Sequence, residues 1–224
     1  MKYLQSAKYD SYNASTNDLT LLRAAEVMLN YAEAKAELGT LTQEDINLSV
    51  KRLRDRVGMS NLILDDANKN PDPYLSDEKT GYPNVTGANK GVILEIRRER
   101  TVELLMENLR YWDIMRWKEG KRFEKPFTGL YFPGTGSYDL NNDGVDDVCI
   151  WSGSKPATSA PAVYELNKEI FLSGGDSGYI IIHTDYARSW NEERDYLYPV
   201  PTDDRVLTQG AITQNPGWND GLNF

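Results

Sequence analysis

The side chains in this 224-residue chain whose types and spacing best suit a chemical task lie in one run, Asp139-Leu140-Asn141-Asn142-Asp143-Gly144-Val145-Asp146-Asp147. Oxygen-bearing side chains fall at loop positions 1, 3, 5 and 9 (Asp139, Asn141, Asp143, Asp147), Gly144 stands at position 6, and the carbonyl of Val145 at position 7 can complete a wrap. Calcium, a hard cation, takes about six to eight oxygens, and a glycine allows the sharp turn that such a wrap needs. Position 12, where an EF-hand carries a bidentate Glu, is Ile150, so the run is not an EF-hand. It is closer to the shorter calcium loops of β-hairpins, in which an apolar strand follows, and Val148-Cys149-Ile150-Trp151 reads as that strand. The competing reading is a metal-free turn held by Asx hydrogen bonds. Asp139, Asp143 and Asp147 packed around one point without a cation would repel one another, which favours a structural calcium ion.

A second cluster, Glu95, Arg97, Arg98, Glu99, Arg100, Glu103, Glu107, Arg110, Asp113 and Arg116, contains many acid–base pairs. Spacings of three and four residues support helices, and Arg pairs between helices fix their register, so these read as ion pairs rather than as a catalytic constellation. With 34 acidic residues in the chain, carboxylate spacing alone identifies no glycosidase pair. There is no Gly-rich phosphate loop, GxSxG elbow or HExxH motif. The one cysteine, Cys149, excludes an intrachain disulfide and a Cys-based zinc cluster, and it reads as a small buried hydrophobe. The one histidine, His183, follows Ile180, Ile181 and Ile182 and reads as a strand-end polar residue.

The elements that must carry these groups follow from periodicity. Between Leu19 and Leu38, Leu21, Ala25, Met28, Ala32 and Ala36 recur at helical spacing, and Gly39 supplies a stop. Thr42 and Asp45 form a capping-box pattern, followed by Ile46, Val50, Leu53 and Val57 before Gly58. Two antiparallel helices are expected, of the size of one helical-repeat unit. Residues 59–90 are rich in Asn, Asp, Pro and Gly and predict a long surface loop. Gly91 to Trp117 predicts a second helical pair, with Val92, Ile96, Val102, Leu105, Leu109, Trp112 and Trp117 as its apolar load and Asn108 as a left-handed break. From Gly120 onward short β-prone pieces follow, at Gly129–Phe132, Val148–Trp151 and Tyr179–His183. These are expected as irregular structure and short hairpins packed on the helices, within one domain.

A net charge of −9 argues against nucleic acid as a partner, because phosphate-backbone binding depends on Lys and Arg. Fourteen Tyr and five Trp supply amphipathic rings of the kind that grip flat, partly apolar ligands such as sugars, although packing can use the same rings. No apolar run approaches about 18 residues, and Met1 to Gln5 lacks the apolar stretch of a signal peptide.

Four segments in order resemble the C-terminal region of SusD/RagB proteins. They are Leu22-Arg23-Ala24-Ala25-Glu26-Val27-Met28-Leu29-Asn30-Tyr31-Ala32-Glu33-Ala34; Leu53-Arg54-Asp55-Arg56-Val57-Gly58; Glu99 to Leu104 with Arg110-Tyr111-Trp112-Asp113-Ile114-Met115-Arg116-Trp117; and Tyr196 to Pro201 with Gln214-Asn215-Pro216-Gly217-Trp218. Asn108 stands where that family usually carries Gly. The resemblance implies a mainly α fold of tetratricopeptide-like helix pairs with long irregular loops and short β-hairpins. It divides this chain into a helical hairpin (19–58), a loop (59–90), a helical pair (91–118), a variable short-strand region (119–195) and a C-terminal clasp (196–224).

The same resemblance implies a non-enzymatic, lipid-anchored protein on the outer membrane of a Gram-negative bacterium. Such a protein captures glycans, or in some members peptides, for a SusC-like TonB-dependent transporter. The signal, the anchor and the N-terminal half that the family carries are expected to lie outside this chain, which then reads as a C-terminal fragment attached to the membrane only through that missing lipid. A purely structural or protein-interaction module is the alternative. Ligand aromatics of the family come from variable loops, so Tyr74, Tyr82, Trp151 and Trp190 are chosen here only as aromatics in loop-like settings.

Overall fold

A computed structural model of the protein describes Tyr12, residues 21–183 and 186–219, and Gly221. Leu19 and the Met1–Gln5 stretch lie outside these residues. The chain divides between Glu119 and Gly120 into two compact units.

The first unit is helical. Helix α1 (Ala24–Glu37) buries Ala25, Leu29, Ala32 and Ala36 along one face, and its small side chains let it pack chiefly against α6 (Lys90–Glu103). It ends as predicted at Gly39: the N–H of Thr40 donates to Lys35 O at 2.9 Å and that of Gly39 to Ala36 O at 3.1 Å, a Schellman ending. Leu21 precedes the helix and is exposed, so the expected stripe loses its first member; Leu29, fully buried, is the core residue that the expected spacing missed. The predicted capping box is present, with Thr42 and Asp45 exchanging hydrogen bonds at the start of α2 (Gln43–Leu48). The second helix of the hairpin is broken at Ser49, whose hydroxyl donates to Asp45 O at 2.6 Å, and resumes as α3 (Val50–Asp55). A side chain hydrogen-bonding its own helix's carbonyl competes with the ladder and bends it.

The stretch 59–90 differs from expectation. It contains α4 (Leu64–Lys69) and α5 (Pro73–Ser76), and it sends Leu62, Leu75, Tyr82 and Val85 into the core of the unit. Asp72 caps α5 by accepting from the N–H groups of Tyr74 and Leu75, with Pro73 in the first turn. Gly91 explains why α4 can press on α6: a Cβ there would meet Ala67 O at 1.7 Å. The predicted break after α6 is real, with Asn108 at φ 66 and Met106 at φ 63, before α7 (Arg110–Arg116). Val92, Ile96 and Trp117 are buried as expected, whereas Val102, Leu105 and Trp112 face outward.

The second unit carries short strands around its own apolar cluster of Phe132, Ile150, Leu166, Ile170 and Leu172. Strands β1 (Thr128–Phe132) and β5 (Gly178–Ile181) pair antiparallel, while β2 (Gly136–Tyr138), β3 (Val148–Trp151) and β4 (Ala162–Glu165) form a sheet of order β2-β3-β4 with β3 and β4 parallel. The three predicted β-prone pieces are β1, β3 and β5 to within a residue or two. A last helix, α8 (Thr202–Leu207), lies inside a closure made by chain-terminal side chains. Gln214 accepts from Val200 N at 2.7 Å and donates to Val200 O at 3.2 Å, Asn215 donates to Tyr198 O at 2.6 Å, and the Trp218 indole donates to Leu197 O at 2.8 Å.

Candidate functional site

In the first unit the charged cluster is interior structure. Arg100 clamps Asp113 with two hydrogen bonds of 3.0 and 2.8 Å and donates to Asn30 at 2.6 Å. The Glu33 carboxylate takes the Trp117 indole N–H at 2.6 Å and Arg116 Nη2 at 2.6 Å, and lies 3.3 Å from Arg100. Arg97 sits over the faces of Trp117 and Tyr82, at 4.5 and 5.3 Å from the ring centroids, and pairs with Glu119 at 3.3 Å. Burial lowers the Arg97 pKa, and the acidic groups around it, Glu119 first, oppose that shift. At the other end Arg54 holds Glu99 at 2.6 Å and Arg23 holds Glu103 and Glu107. Glu33, Glu99, Glu103, Glu107, Asp113 and Glu119 thus each have an arginine partner, which suits register-fixing.

The Asp139–Asp147 loop directs its oxygens at its own backbone. Asp139 accepts from the N–H groups of Asn142 and Gly144 at 2.7 Å each, and from Asn141 and Asp143 at longer range. Asn141 accepts from Asp143 N, Asp143 from Val145 N, and Asp147 from Leu140 N. These N–H groups, that of Gly144 foremost, hold the Asp139 carboxyl below the usual carboxylate range. Among the described residues no three acidic, His or Cys side chains gather at a point that could hold a metal ion. As arranged, nested Asx turns hold the loop.

The four aromatic candidates have four different settings. Tyr74 on α5 is 65 % exposed. Tyr82 is 2 % exposed, edge-on to Trp117 at 5.6 Å and covered by Arg97 and Arg110, so its ring faces are occupied and it is a core residue. Trp190 is half-buried between Phe123 and Tyr196, at 5.2 and 5.1 Å, where Gly120 makes room for it: a Cβ at 120 would lie 2.0 Å from the indole. Trp151 lines a cleft of about 300 Å³. Its floor is Cys149 and Ile150 of β3, both buried, and its rim carries the exposed residues Thr135, Ser137, Ser152 and Ser154. The indole Nε1 of Trp151 is enclosed and has no hydrogen-bond partner among the described residues.

Sequence reasoning missed one exposed aromatic pair. Tyr131 and Tyr179 face each other across β1 and β5 at 5.3 Å, both more than half exposed, while the neighbouring Phe132 points into the core. Strand alternation within the predicted pieces was the available signal. His183, beyond β5, is exposed, and Cys149 is buried at 3 %, both as expected.

The chain is similar to known proteins over nearly its whole length. The SusD family matches residues 1–218. Among solved structures, a SusD-like protein from Bacteroides fragilis NCTC 9343 aligns at 24 % identity and TM-score 0.49, over 88 % of this chain and 25 % of its own. A SusD-like carbohydrate binding protein from the same organism aligns at 23 % identity and TM-score 0.45, over 83 % of this chain and 27 % of its own. The chain therefore spans about a quarter of the length of the solved structures that it matches. No curated protein matches it.

Proposed function

We propose, since the chain belongs to the SusD family, that it is part of a non-enzymatic glycan-binding protein serving a SusC-like TonB-dependent transporter at an outer membrane. The observation that carries the non-enzymatic part is the commitment of the motif carboxylates, Glu33, Glu99, Glu103, Glu107 and Asp113, to arginines. The binding part is supported by aromatic and hydroxyl groups gathered at the surface of the second unit. No described helix is long and apolar enough to cross a membrane; the family reading itself is what suggests attachment through a lipid outside these residues. In the same reading the α1–α3 hairpin is one tetratricopeptide-like unit. The test is affinity-gel retardation on a polysaccharide panel, with reducing ends assayed on the same polymers. Retention without release of reducing ends is expected; retention of a peptide mixture but of no sugar, or release of reducing ends, overturns the proposal.

A protein-interaction role draws support from one specific feature, the exposed apolar side chains Val102, Leu105, Met106 and Trp112 at the end of α6 and on α7. Apolar groups grouped on a surface mark contact sites. Co-purification with a neighbouring transporter that survives loss of sugar binding, and fails when Leu105 and Met106 become Ser, favours that role.

A further inference from the structure

We infer that the cleft at Trp151 takes an uncharged saccharide unit, with the indole as its platform and the hydroxyls of Thr135, Ser137, Ser152 and Ser154 as its hydrogen-bonding rim. This rests on the glycan-binding reading above and narrows it to a place and a chemical class.

The lining decides the class. None of the cleft's residues carries a charge: two buried apolar floor groups, one indole, four hydroxyls, a glycine and a proline make up the wall. An anionic sugar placed there would lose water with no cation among the lining groups to replace it, a cost that a neutral hydroxylated ring does not carry. The chain's net charge of −9 repels polyanions before contact as well. Each hydroxyl can donate once and accept twice, and can rotate to do either, which matches the mixed donors and acceptors of a sugar face. A cleft of about 300 Å³ is at the small end of ligand sites, suited to one unit or a chain end.

The positions are set by register. β2 pairs with β3 so that Ser137 lies opposite Cys149 and Gly136 opposite Ile150, which brings Thr135 and Ser137 to the side of the cleft facing Trp151 and the Ser152–Ser154 turn. A one-residue slip would reverse the outward side chains.

The test measures binding of the full 224-residue chain to maltoheptaose, cellohexaose, xylohexaose and mannohexaose by calorimetry, with a polygalacturonate oligomer and a chondroitin sulfate hexasaccharide as anionic controls. At least one neutral oligomer is expected to bind, and Trp151→Ala to weaken it by about tenfold or more. Because Trp151 is half-buried, Ser137→Trp supplies a second variant that fills the cleft from an exposed position; it is expected to abolish binding with the far-ultraviolet circular dichroism unchanged. Neutral binding that both variants retain overturns the site while glycan capture stands. Preference for an anionic oligomer overturns the class. No retained glycan of either kind overturns both readings together.

Discussion

The two units hold themselves together by opposite means. In the first, arginines and carboxylates are buried among helices: Arg100, Glu33 and Asp113 are each about as inaccessible as the leucines beside them. In the second, the interior is a small apolar cluster, one charged side chain, Arg205 of α8, is buried, and other polar groups lie in turns, in a hydroxyl-rimmed cleft and in the Gln214–Trp218 closure. A buried ion pair contributes little net stability against a well-packed apolar pair, but removal of one partner strands a charge and is costly. A shallow apolar cluster forgives polar changes at its rim and resists changes of volume. The first unit is thus intolerant in its charges and the second in its shapes, which is how a scaffold can stay fixed while a neighbouring surface varies.

The largest expected effect breaks the charge network. Arg100→Met should cost about 3–5 kcal/mol, since Asp113 loses its bidentate partner in a buried site; urea denaturation is the measurement, and a midpoint unchanged from the parent would remove the basis of the contrast. Next, Gly120→Ala should cost about 1–3 kcal/mol in the second unit, because the indole of Trp190 is held by Phe123 and Tyr196 and cannot swing aside. Thermal unfolding followed by tryptophan fluorescence reads that loss.

Smaller effects should place the units at opposite ends of the pH scale. Asp45 is held well below the usual carboxylate range by the hydroxyl of Tyr31 first and by Thr42 next. Its contribution is therefore present above the unfolded value of about 3.9 and lost as pH falls below it toward the depressed folded value. Tyr196 is pushed up to about 12, chiefly by burial, with its hydroxyl donating to Glu192 at 2.7 Å. The folded chain keeps that proton, so its contribution is intact below about pH 10 and disappears as pH rises to about 12. Melting temperature against pH should flatten on the acid limb in Asp45→Asn and on the alkaline limb in Tyr196→Phe; a swap of those limbs would refute both assignments. The smallest expected signal concerns calcium, proposed at Asp139, Asn141, Asp143, Val145 and Asp147 from ligand spacing. Binding there requires the side chains to turn from backbone N–H groups to a common point. Calorimetric heat that Asp143→Ala abolishes supports the ion, and heatless traces for both proteins leave the Asx turns as the loop's whole support.

Helices with a repeating apolar face and explicit ends were legible: α1 by its alanines and Gly39, α2 by Thr42 and Asp45, and the α6–α7 break by Asn108. Periodicity failed where the helix turned its pattern outward, as at Val57, Val102 and Leu105, because an exposed apolar side chain has the same spacing as a buried one. Helices α4 and α5 were hidden by their Asn, Asp and Pro content, although Asp72-Pro73 is a helix-start signal in its own right. Of the site, Trp151 was chosen by residue type, but its hydroxyl neighbours were not foreseeable, since Ser137 reaches the cleft only through the β2–β3 register. Tyr82 misled for the converse reason: it lies in a polar stretch whose chain folds inward to seat one ring against Trp117.

Cys149 gives this protein a built-in clock. It is the chain's only thiol, buried at 3 %, and it sits in the central strand of the three-stranded sheet. A thiol reagent added to the native protein meets it through the cleft that it floors or when that sheet opens, so the rate of labelling reports access to that one place without any engineered probe. Under a saturating sugar, slower labelling would time how long the cleft over Cys149 stays covered.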